Sequence, residues 1–203
     1  MNQTFDFGDS PVPAHLHPNG GGWVADSAYV ANTAYVGPDA RVFGQARVSG
    51  YARVFGQAQV FGEAQVSRDA RVSGKAWVYG YAQVAGKALV TDYAVVTDDA
   101  VVSGYAQVFG EALVAGYAQV SDNAQVAGYA WVCDNAQVAD TAQVADTAYV
   151  GPDAVVSGYA RVFGHAQVTG KAEVYGDAWV FGDAVVTDDA EVAGTAQVTG
   201  DHT

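Results

Sequence analysis

The chain has 203 residues, a net charge of −13, half of its residues hydrophobic, and a single cysteine, Cys133. No run approaches the ~18 apolar residues of a membrane span, and one cysteine cannot form an internal disulfide, which points to a reducing compartment. The acidity argues against binding nucleic acid through its phosphates.

The charge is uneven. Residues 1–90 carry seven Lys/Arg against six acids, whereas residues 91–203 carry only Arg161 and Lys171 against sixteen. Residues 1–22 lie outside any repeat. Their start, Met1 to Asp9, lacks the basic and apolar regions of a signal peptide, so the expected location is the cytoplasm or a phage particle. Phe5, Phe7, Val12 and Leu16 are predicted to cover the first turn of the repeat array. Pro11, Pro13, Pro18 and Gly20 to Gly22 read as an extended arm and hinge. The chain thus divides into an arm or cap, 1–22, and a repetitive body, 23–203.

In the body a valine stands at every sixth position from Val24 to Val198, and alanine follows four residues later from Ala28 to Ala196; only His202 breaks the alanine series. A fixed internal period settles architecture before local propensity is consulted. The segment A-x-V-x alternates small or apolar with variable residues, the period-2 sign of a strand with one buried face. Two residues after each valine stands Gly eighteen times, Asp eight times and Asn once. These types tolerate a left-handed backbone, so this is the corner. Very short strands with a corner every six residues wind into a coil that stacks by parallel pairing at roughly 4.8 Å per turn.

Val36-Gly-Pro-Asp-Ala-Arg41 and Val150-Gly-Pro-Asp-Ala-Val155 match the pattern [LIV]-[GAED]-x-x-[STAV]-x at every constrained place. The chain resembles the hexapeptide-repeat family of left-handed parallel β-helices. That resemblance implies an all-β, single-stranded, left-handed, three-sided solenoid of about ten coils of 18 residues, without loop insertions. The left hand comes from the resemblance alone, since parallel crossovers are otherwise nearly always right-handed. The entry His17-Pro-Asn-Gly-Gly-Gly-Trp-Val-Ala-Asp also looks like repeat proteins of phages and prophages that carry a hexapeptide-transferase label. A rod of roughly 45–50 Å is expected, filled by Val and Ala with no room for a ligand. Each buried Val contributes on the order of 1.5–2 kcal/mol before chain entropy is subtracted.

A period of eighteen sorts the outward residues onto three faces. On the first, Trp23, Trp77, Val95, Leu113, Trp131 and Tyr149 precede the valines, with Phe43, Phe61 and Tyr79 after them. Trp77 to Tyr149 is an apolar stripe over five coils, the pattern of a partner surface. Self-association through it is expected, as a trimer by the family resemblance, with a protein partner of unknown kind also open. The competing reading is that the aromatics cover corners and ladder along the rod. The second face, with Arg47, Gln65, Gln83, Gln119, Gln137, Glu173 and Glu191, reads as solvated. The third mixes Arg53, Arg71 and Arg161 with Phe55, Leu89, Phe109, Phe163, Trp179 and Phe181.

Chemistry is sparse. The resemblance implies an acyltransferase with a corner histidine as general base. His165, with Asp183 one coil on, is the candidate pair, although the family's substrate-gripping loop and C-terminal helix have no counterpart. A three-histidine zinc site is not formed by His165 with His15 and His17, and Asp98-Asp99 and Asp188-Asp189 read as solvated corners. No metal or cofactor is expected. The C-terminal Val198-Thr-Gly-Asp-His-Thr203 carries no visible cap and is expected either to dock in an assembly or to be protected by its charge. The favoured reading is a non-enzymatic structural or interaction rod related to phage proteins. The rivals are an acyltransferase with an intersubunit site near His165 and an acidic DNA mimic.

Overall fold

The computed structural model describes residues 3–200, and within them the protein is all β. Among the described residues no helix is long and apolar enough to cross a membrane. From Tyr29 onward nearly every strand is two residues long, one outward residue followed by the inward valine. Each pairs in parallel with the strands 18 residues before and after it, as Trp77–Val78 does with Gln59–Val60 and Val95–Val96. The result is a β-solenoid of about ten turns with three stacked parallel sheets.

Most hexapeptides send three N–H groups to the next coil, shown by Gln83 N to Ala100 O (2.9 Å), Ala85 N to Val102 O (2.9 Å) and Lys87 N to Gly104 O (2.7 Å). Inside, the valines and alanines from Ala34 to Val180 are wholly buried. The core is therefore one continuous column that no single coil closes by itself.

The corners are β-turns. Ala88 N bonds back to Ala85 O (3.4 Å), and the first central residue, Gly86, has φ +73. A positive φ at that place alone is the type II′ arrangement, which favours glycine. Val150-Gly-Pro-Asp-Ala differs because Pro152 cannot adopt positive φ. There the left-handed residue moves to Asp153 (φ 58), the type II pattern with proline first.

Aspartate replaces glycine at corners for a second reason. Asp92, Asp98, Asp140 and Asp146, all left-handed, accept a hydrogen bond from the corner N–H one coil on, at Gly110, Gly116, Gly158 and Gly164 (2.9–3.1 Å). The carboxylate satisfies a donor that the next coil would otherwise present to water alone.

The N-terminal residues are not an extended arm. β1 (Thr4–Asp6) and β2 (Pro11–Leu16) form an antiparallel hairpin, and β2 pairs antiparallel with β3 (Trp23–Ala25), the first strand of the first sheet. Residues 19–22 are not a free hinge either. Val36 N bonds to Asn19 O (3.0 Å), Gly22 N to Val36 O (2.9 Å) and Asn19 Nδ2 to Ala34 O (2.8 Å). Two of the three leading sheet edges are thereby covered. The register pairs His15 with Val24, so His15 shares the inward face of the sheet with His17, which is buried at the end of the column. At the other end, in the last described coil, Ala190 and Ala196 are exposed. The docking expected of His202 and Thr203 lies outside the described residues.

Candidate functional site

The first face is built by strict register. Trp77, Val95, Leu113, Trp131 and Tyr149 are successive Cα partners, so their side chains stand side by side at the strand spacing. Trp77 is 45% and Trp131 53% exposed, while Val95, Leu113 and Tyr149 between and beside them are half-buried. Two large rings thus stand proud of a lower apolar floor.

Phe43, Phe61 and Tyr79 behave differently. They stack on one another at centroid distances of 4.8 Å, and the hairpin extends the column, with Phe7 on Phe43 (4.9 Å) and Phe5 on Trp23 (4.5 Å). This ladder ties the cap to the first coils, and Arg41 adds its guanidinium over Phe5 (5.3 Å). Of the nine first-face residues singled out from sequence, Trp23, Phe43, Phe61 and Tyr79 therefore have stacked intramolecular partners for their rings, while Trp77 meets Phe61 only edge-on at 6.3 Å. The Trp77 to Tyr149 set presents its apolar surface outward.

At the lower end of the stripe, Cys133 Sγ and Tyr149 Oη are 3.3 Å apart and the thiol is 3.5 Å from Asp134 Oδ2. The hydrogen bond to Cys133, and then burial, push the Tyr149 phenol up to about 12. Burial, ahead of the Asp134 carboxylate, also pushes the Cys133 thiol up. Both shifts favour the protonated forms, which makes the thiol a weaker nucleophile.

His165 stands exposed at a corner. Its Nδ1 is 2.6 Å from Thr147 Oγ1, whose hydroxyl also reaches Gly164 O (2.8 Å). Asp183 occupies the same corner one coil further on. The hydrogen bond described for the imidazole is thus to a threonine of the preceding coil. His15 pairs with Asp26 (2.8 Å) at the opposite end. Among the described residues no group of three or more His, Cys, Asp or Glu side chains could hold a metal ion.

One feature was not legible from the valine register. Seven of the twelve tyrosines occupy the outer corner position three residues after a valine: Tyr51, Tyr81, Tyr93, Tyr105, Tyr117, Tyr129 and Tyr159, all more than half exposed. They and their neighbours raise the edges of the prism, so that shallow grooves run along the rod between corner and sheet. One is lined by Asp39, Arg41, Gln57, Gln59, Lys75, Trp77, Tyr93 and Val95. Another, of about 710 Å³, runs along the third face. The signal was present at one place in the six-residue unit, spread over all three corners, but at a position where the repeat itself tolerates any residue.

Two segments, 64–80 and 118–134, match the family model described as YdcK Beta solenoid repeat. They begin 54 residues apart, three coils, and each spans nearly one turn. Each contains one of the two exposed first-face tryptophans, Trp77 and Trp131. No curated protein matches the chain.

Proposed function

We propose that this protein is a non-enzymatic structural rod that assembles with copies of itself through its first face, as a trimer. The observation that carries the reading is the pair Trp77 and Trp131, 45% and 53% exposed, on one flat five-coil stripe. Rings of this size bury 150–250 Å² when covered. At about half exposure each retains about 2–3 kcal/mol of apolar burial to be gained from a partner. A symmetric assembly places the same stripe in every copy, which suits a surface built on a repeat. The hexapeptide-repeat likeness of Val36–Arg41 and Val150–Val155 supports the left-handed coil and the trimer. The His17–Asp26 entry supports a relation to phage-encoded rods.

Light scattering on the purified chain at micromolar concentration tests it. A mass three times that of the chain is expected, falling to one chain in the Trp77→Glu/Trp131→Glu variant. A monomer in the unmodified protein refutes the assembly.

A further inference from the structure

Four of the nine basic residues of this acidic chain are gathered in one place. Arg53, Arg68, Arg71 and Lys87 all stand exposed on, or at the corner leading into, the third face, within coils two to four. Arg53 and Arg71 are direct partners in adjacent parallel strands, an arrangement of like charges that costs stability. Arg53 lies over the Tyr35 and Phe55 rings (5.2 and 5.5 Å). Arg68, Arg71 and Lys87 have no ion-pair partner among the described residues, although Asp69 lines the same groove as Arg71 and Lys87.

Arg68 carries a further cost. Among the described residues it is the only one other than Gly or Asp with positive φ, at 63°. Four of the aspartates at such corners, Asp92, Asp98, Asp140 and Asp146, gain a carboxylate bond to the next coil. A guanidinium cannot accept one, and the N–H of Gly86, one coil on, receives nothing from it. Strain without structural return marks a position held for another reason.

The adjoining groove runs along the rod over four coils, about 14 Å from first rung to last. Its rungs are Asp69 with Arg71, Lys87 with Leu89, Tyr105 with Gln107, and Asn123 with Gln125. Lys87 Nζ lies 5.0 Å from the centroid of the Tyr105 ring, which is 57% exposed. We propose that this groove binds an extended acidic oligosaccharide. Arg71 and Lys87 would hold its carboxylates, Gln107, Asn123 and Gln125 would hydrogen-bond its hydroxyls, and Tyr105 would offer a platform for one sugar ring. Arg68 would add long-range attraction at the groove's entry.

The chemistry of the lining favours a glycan over other polyanions. Three side-chain amides supply donors and acceptors in equal measure, suited to hydroxyls. A single aromatic ring is a poor stacking surface for successive bases. An extended peptide cannot add as a further strand along the rod, since the strands there are already paired coil to coil.

The test is calorimetric titration of the full chain with an oligogalacturonate long enough to span the groove. A neutral gluco-oligosaccharide and a single-stranded oligonucleotide serve as comparison probes. Saturable binding of the oligogalacturonate is expected, about tenfold weaker in Arg71→Ala and in Lys87→Ala, and unchanged in Gln137→Ala on the exposed second face. Arg68→Gly is expected to raise the melting temperature while weakening binding, an outcome that a purely structural arginine would not give. No saturable binding, equal binding of the neutral probe, preference for the oligonucleotide, or indifference to Arg71→Ala and Lys87→Ala overturns the proposal. Because the groove lies on the third face, these results are independent of whether the first face assembles.

Discussion

Gly104→Ala measures how tightly the coils are stacked at their corners. Gly104 has φ +69, and a methyl group there would stand 2.7 Å from Asp122 N and 2.9 Å from Asp122 Cα and O. All three contacts are backbone of the next coil, so no side chain can swing away. The left-handed conformation costs alanine about 1–2 kcal/mol, and forcing the coils apart adds about 1–3 kcal/mol. The total is about 2–5 kcal/mol, which lowers the melting temperature of a chain this size by about 4–20 °C. Gly194→Ala is the control, since Gly194 has φ +62 but nothing within 4 Å of the added methyl. It should cost only about 1–2 kcal/mol. Urea unfolding followed by circular dichroism on both variants, with the slope checked for loss of cooperativity along the array, gives the comparison. Equal losses in the two variants refute the claim that backbone contact between coils, rather than φ alone, selects glycine at these corners.

Two further predictions concern side chains. Asp140→Ala loses the acceptor for Gly158 N (2.9 Å) yet keeps φ +59, so it should cost about 1–2 kcal/mol in urea unfolding. Asp140→Gly loses the same bond but relieves the backbone, and should be closer to neutral. Tyr149 titrates at about 12 when folded against 10.0 for the free group. Between these values the unfolded chain releases the proton first, so stability falls as pH rises from about 10 to about 12. Tyr149→Phe should flatten that limb of a melting-temperature profile. The Cys133 thiol, also raised, should leave a residual slope that shrinks further in Cys133→Ala/Tyr149→Phe, the remainder belonging to Tyr175, whose phenol the Glu191 carboxylate also holds up. An unchanged profile in the double variant would contradict the assignment.

The six-residue register carried the fold because it encodes two local facts at once. Val24 to Val198 mark which residue of each strand points inward, and Gly or Asp two places later marks where the backbone can turn. Once the turn closes on itself every 18 residues, three sheets and a Val/Ala column result, and so does the adjacency of Trp77, Val95, Leu113, Trp131 and Tyr149. The N-terminal segment has no such period. Its prolines and glycines read as an arm, whereas β2 was free to pair antiparallel with β3 because that edge offered unmatched backbone groups. Sequence also could not separate the laddered rings of Phe43, Phe61 and Tyr79 from the exposed ones of Trp77 and Trp131. That distinction depends on which way each ring leans and on Phe7 arriving from outside the repeat. Likewise, Tyr105, Lys87 and Arg71 are unconstrained letters in separate hexapeptides. Only coil stacking, which sets residues 18 apart side by side, makes them the walls of one groove.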